Sequence, residues 1–122
     1  MKIGKYELKV IETGVFGLDG GAMFGIIPKP LWSKYNSADE QNRVTLHARN
    51  LLLLSDSRKI LIDTGIGSDW DEKFIRNYRL DQTENTMSIS LNKLSIKPDE
   101  ITDVLLTHLH FDHTGGSTYL KD

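Results

Sequence analysis

Between Thr107 and Gly116 the chain reads Thr-His-Leu-His-Phe-Asp-His-Thr-Gly-Gly, which places three of its four histidines and one carboxylate within six consecutive residues. Such a density of imidazole constrains the fold, because the backbone must deliver these side chains to one place. His108 and His110 are two apart, so an extended or turning backbone points them the same way, whereas a helix would splay them by about 200°. The motif is therefore expected on a loop. The apolar run Asp103-Val104-Leu105-Leu106 before it suits a buried strand, and Thr114-Gly115-Gly116-Ser117 after it suits a turn and the start of a short helix. Imidazole nitrogen and carboxylate oxygen are donors that zinc and similar divalent ions accept. The chain has no Cys, so the thiolates usual in structural zinc sites are absent and the cluster reads as catalytic.

The motif resembles the H-x-H-x-D-H signature of the metallo-β-lactamase superfamily, and Leu61-Ile62-Asp63-Thr64-Gly65 resembles the L-I-D-T-G segment that this family carries upstream. The resemblance implies an α/β (α+β) fold, the N-terminal half of an αβ/βα sandwich with a mixed sheet and helices on one face. It implies that His108 and His110 bind a first divalent ion and Asp112 and His113 a second, zinc in both cases, with Asp63 behind the ligands. It also implies hydrolysis of an ester, lactone or amide-type bond. In such a site an ion lowers the pKa of bound water from about 15.7 toward about 7, and a second ion roughly 3.5–4 Å away helps hold the nucleophile and the substrate oxygen. Asp112 would orient that nucleophile and pass a proton to the leaving group. The family draws a further His, a bridging Asp and a final His from sequence beyond position 122, so the chain is expected to be a single but incomplete domain over 1–122.

His-Leu-His-Phe-Asp-His with its Thr-Gly-Gly, together with Asp19-Gly20-Gly21-Ala22-Met23-Phe24-Gly25, is most similar to lactonase-type members. That makes a small-molecule ester or lactone the first substrate expectation, ahead of a β-lactam or phosphoester. Met23, Phe24 and Trp32 are then candidates for the substrate wall, with buried core the alternative for Met23 and Phe24. Trp32 and Tyr35 are apolar handles on a loop that either covers the site or runs over the surface. A di-iron redox relative would carry Glu in place of His110. The competing reading is a catalytically incomplete fragment or metal-binding subunit, because four side chains shared between two ions leave each short of tetrahedral coordination.

Composition narrows the remaining classes. A formal net charge of −2 gives no electrostatic footprint for nucleic acid or an anionic membrane. The absence of Cys fits a reducing compartment, and Met1 to Tyr6 leads into no apolar run of the kind a signal peptide needs, so cytoplasm is expected.

Along the chain, Tyr6 to Thr13 alternates as a half-buried strand. The glycines from Gly14 to Gly25 should break regular structure and let backbone pass close to something. Ser33 to Arg43 is polar and reads as an exposed loop. Val44 to Leu54 and Lys59 to Asp63 form a hairpin about Ser55 to Arg58. His47 stands alone in that hairpin and reads as structural. Ser68 is expected to cap a helix in which Trp70, Phe74 and Tyr78 recur every four residues as a packing stripe, and Ser88 to Leu94 is a weaker helix. If this is half a sandwich, Leu51 to Leu54 and Val104 to Leu106 lie on an exposed apolar face that would drive self-association or association with a complementary chain.

Overall fold

The computed structural model describes residues 1–119. The site is positioned by a five-stranded sheet in chain order: β1 (Lys2–Ile3), β2 (Tyr6–Asp19), β3 (Arg43–Leu54), β4 (Lys59–Ile62) and β5 (Asp103–Leu105). The first pairings are antiparallel, and β5 joins β4 in parallel, so the sheet is mixed as expected. The hairpin around Ser55–Arg58 forms with Leu54 opposite Lys59.

The glycine-rich stretch departs from expectation. Gly14 to Asp19 continues β2 instead of ending it, and the sheet absorbs the irregularity as a bulge in which Thr13 is the extra residue between the Glu12–Arg49 and Gly14–Ala48 pairs. The bulge resets the alternation. Ile11 and Phe16 are five apart and would face opposite sides of a regular strand, yet both are buried on the face carrying Ala48 and Leu52. Close approach of backbone does occur at Gly14, whose φ is +142° and where a Cβ would lie 2.9 Å from Cγ of Gln82. Gly20 and Gly21 enter a short helix, α1 (Gly20–Phe24), which Gly25 ends, with the Asp19 side chain accepting from the Ala22 N–H at 2.8 Å.

Trp32 ends α2 (Lys29–Trp32) and is buried, stacked on Phe24 at 4.8 Å, so it is not an exposed handle. Tyr35 is exposed. The polar stretch that follows has no helix, but Asp39 organises it by accepting from the N–H groups of Gln41 and Arg43.

Helices α3 (Glu72–Tyr78) and α4 (Met87–Asn92) follow β4. The cap of α3 is Asp71, accepting from the Phe74 N–H at 2.7 Å, and not Ser68; Trp70 therefore precedes the helix while still stacking on Phe74 at 3.9 Å. Thr86 caps α4 in the same manner.

Two core clusters fill the helix-bearing face of the sheet. One holds Ile11, Leu52, Leu61, Leu91 and Ile96, and the other Phe16, Ala48 and Ile66 packed by Trp70, Leu80 and Phe111. By alternation, the opposite face presents Val10, Leu51, Ile62 and Leu105 in one row across the strands and Leu8, Leu53 and Ile60 in the next. Val10 and Leu105 are 61% and 53% exposed. The uncovered face takes only alternate members of the first expected run, because Leu52 and Leu54 point to the helices, whereas Val104, Leu105 and Leu106 at the sheet edge are all exposed, so β5 is not the buried strand expected. Among the described residues no helix is long and apolar enough to cross a membrane.

Candidate metal centre

The candidate site forms where the ends of β4 and β5 meet. Beyond β4 the Asp63 N–H donates to the Leu105 carbonyl at 2.8 Å, and the Thr64 N–H donates to the His113 carbonyl at 2.7 Å. Gly116 donates to the Gly65 carbonyl at 3.2 Å. The two glycine-bearing loops pack backbone to backbone: a Cβ at Gly115 or Gly116 would coincide with the carbonyl of Ile66 or Thr64. Residues 63–67 and 107–116 are therefore one structural unit, although they are far apart in sequence.

Within that unit the motif is not all loop. His108 and His110 lie on irregular backbone, but α5 (Phe111–Thr114) begins inside the motif instead of after Thr114 and carries Asp112 and His113. Phe111 anchors it. Its ring meets Phe16 edge-on at 5.6 Å and Phe74 at 5.2 Å, and lies 4.8 Å from Tyr78. The aromatic stripe expected on α3 thus packs against the motif itself, fixing the residue between His110 and Asp112 to the core.

The imidazoles cluster. The ring centroids of His108 and His113 are 3.9 Å apart and those of His108 and His110 are 4.7 Å apart. Asp63 is buried beneath them with φ +60°, a left-handed conformation that Asp tolerates better than most residues. One carboxylate oxygen, Oδ1, accepts from the Thr107 N–H at 2.8 Å, and the Thr107 hydroxyl donates to Oδ2 at 2.8 Å. Oδ2 also meets Nδ1 of His113 at 2.8 Å. Burial works against ionisation of Asp63, but the hydrogen bonds from His113 and Thr107 outweigh it and hold the carboxyl below its ordinary range.

With Nδ1 of His113 turned to Asp63, its Nε2 faces outward, 3.3 Å from Oδ2 of Asp112. Two donors on a tetrahedral zinc with bonds of about 2.0–2.1 Å are about 3.3–3.4 Å apart, so this pair fits a shared divalent ion in donor type and spacing. Among the described residues no group of three His, Asp or Glu side chains is arranged around one such point.

Of the other candidates, His47 lies on β3 with Nδ1 3.6 Å from Glu12, and among the described residues no hydrogen bond, ion pair or ring contact joins it to the motif. Met23 is exposed on α1, and Phe24 and Trp32 pack on each other; no hydrogen bond or ring contact connects these three to the histidines among the described residues. Thr107 and Phe111 were given no role by sequence reasoning. For Phe111 the available signal is an apolar aromatic inside a run of metal donors; for Thr107 no local pattern signals the contact with Asp63.

A sequence profile described as "Metallo-beta-lactamase superfamily" matches residues 44–122. The chain belongs to this superfamily. This superfamily member is similar over 95% of its length to a probable metal-dependent hydrolase from Staphylococcus aureus, at 40% identity and a TM-score of 0.86. It is also similar to AidC, a dizinc quorum-quenching lactonase, at 26% identity and a TM-score of 0.69 over 95% of the chain. A further match is a quorum-quenching N-acyl homoserine lactone lactonase, at 27% identity and a TM-score of 0.60 over 96% of the chain. The chain covers 42%, 37% and 43% of those structures, about two fifths of their length.

Proposed function

We propose that this chain carries the nucleophile-generating part of a zinc-dependent hydrolase acting on an ester or lactone carbonyl. The observation that carries the reading is the convergence of His108, His110 and His113, with Asp63 hydrogen-bonded at 2.8 Å to Nδ1 of His113. A carboxylate on the far nitrogen of a ligating imidazole fixes its tautomer and raises its basicity. His108, His110, Asp112 and His113 are the residues that would hold zinc. When bound, zinc supplies hydroxide from water near neutral pH and polarises the substrate carbonyl. Asp112 accepts the proton of the attacking water and returns it to the leaving oxygen, so a lactone yields a single ring-opened hydroxy acid and an open-chain ester an acid and an alcohol. The lactonases among the similar structures support a lactone ahead of an amide.

A second reading is a metal-binding portion that turns over only with donors from another segment or chain. The lack of a three-donor group among the described residues favours it for the isolated polypeptide.

One experiment addresses both. Opening of an N-acyl homoserine lactone, followed by acid release in zinc, is measured for the full chain and for a chimera joining it to the portion of the S. aureus hydrolase that it does not cover. The expected result is negligible turnover by the chain and zinc-dependent turnover by the chimera, lost in Asp112→Asn. A folded, zinc-loaded chimera that opens neither lactones nor simple esters refutes the hydrolase reading.

A further inference from the structure

Thr107 sits between both ends of the cluster. Its backbone N–H reaches Oδ1 of Asp63 at 2.8 Å, and its hydroxyl lies 2.8 Å from Oδ2 and 3.0 Å from Oδ1 of the same carboxylate. On its other side the hydroxyl is 3.1 Å from Nδ1 of His108. A hydroxyl has a single proton, and a carboxylate only accepts. The proton of Thr107 therefore goes to Asp63, and the contact with His108 is a hydrogen bond only if His108 carries its proton on Nδ1 and donates it to the Thr107 oxygen. Nδ1 of His113 lies 3.4 Å from the same hydroxyl but 2.8 Å from Oδ2, so its proton goes directly to the carboxylate.

We propose that Thr107 is a positioning residue that relays Asp63 to His108, so that one buried carboxylate fixes the tautomers of two imidazoles: His113 directly and His108 through the Thr107 hydroxyl. In both rings the lone pair is then left on Nε2. Held this way, His108 and His113 present ligating nitrogens without reorganisation, and neither ring can turn without breaking a bond to the Thr107–Asp63 pair. The consequence for metal rests on the zinc reading above; the tautomers do not.

The backbone N–H of Thr107 and the His113–Asp63 bond both survive removal of the hydroxyl, so the two imidazoles should respond differently. Long-range 1H–15N correlation spectra of the metal-free full chain, at a pH above the ordinary His pKa, report each tautomer. Wild type and Thr107→Ser should show the Nδ1–H form at His108 and at His113. Thr107→Val should keep it at His113 and lose it at His108, and zinc affinity should fall about 10-fold, with Thr107→Ser near wild type. An Nε2–H form at His108 in the wild type overturns the proposal with no variant needed. So does Thr107→Val with His108 unchanged, or with His108 and His113 shifting together as general loosening would cause. If wild type binds no zinc, the metal reading fails while the spectra still decide the relay.

Discussion

Asp63→Asn tests the core of the site with little steric change. Asn tolerates the left-handed backbone found at position 63 as well as Asp does, so the substitution adds no strain there. What changes is hydrogen-bond polarity. The Thr107 N–H donates to Oδ1 and cannot reverse, so the amide oxygen must occupy that position. The amide NH2 then faces Nδ1 of His113, where the carboxylate had accepted at 2.8 Å. Two donors would meet unless His113 moves its proton to Nε2, which removes the lone pair facing Asp112. Loss of such a supporting carboxylate lowers metal affinity about 10–100-fold, equivalent to about 1.4–2.7 kcal/mol. The buried charged acceptor is lost as well, and a hydrogen bond to a charged group contributes about 1.5–3 kcal/mol to folding.

The pH dependence follows from the direction of the Asp63 shift. Its carboxyl is lower in the folded chain than in the unfolded one, so its contribution is fully present above the unfolded value near about 3.9 and is lost as pH falls through the folded value. Urea unfolding from pH 7 to pH 3 should show wild type losing its advantage over Asp63→Asn at the acid end, and calorimetric zinc titration at pH 7.5 should show the affinity loss. Equal zinc affinity, with His113 still protonated on Nδ1 in Asp63→Asn, would refute the argument.

Phe111→Ala should cost about 2–3 kcal/mol in urea unfolding, below the range of about 3–5 for a fully buried ring because Phe111 is half-buried, and should weaken zinc binding by freeing α5. Gly115→Ala puts a Cβ on the Ile66 carbonyl and should separate the two site loops; circular dichroism melts would show destabilisation exceeding that of an exposed Gly→Ala change. The apolar sheet face is proposed to drive self-association: sedimentation velocity should show a dimer for wild type and a monomer for Val10→Glu with Leu105→Glu, and a wild-type monomer at high concentration would remove that proposal.

The clustering of the motif was more legible than its geometry. Three His and an Asp within six residues point to one shared place, and the resemblance of Leu61 to Gly65 to the family's upstream segment puts Asp63 beside them; the structure brings Asp63 to Nδ1 of His113 at 2.8 Å. The hairpin followed from alternation that gives way to a continuous apolar run, and the motif strand from a short apolar run; β5 forms there, but as an exposed edge strand and not the buried one expected. The bulge at Thr13 was not readable, since glycines mark a bend and a bulged strand alike, and only the long-range pairing with β3 decides between them. Asp71 displaced Ser68 as the cap because both precede the same apolar stripe, which fixes a helix face better than a helix start. Trp32 is buried at the end of a helix because Pro30 sits in the first turn of α2, where its missing N–H costs nothing and where proline marks a helix start as readily as a loop. Thr107 carries no signal by residue type alone; its role depends on the contact between positions 63 and 107, which no local pattern reports.

The motif is proposed to hold a divalent ion, and every catalytic role assigned to its side chains depends on that. Zinc titration of the metal-free full chain by calorimetry, with metal content measured after gel filtration, compares wild type with His108→Ala, His110→Ala, His113→Ala and His47→Ala. Binding is expected in wild type and His47→Ala, and its weakening or loss in each of the three motif variants. Equal stoichiometry and affinity in all five proteins would contradict it.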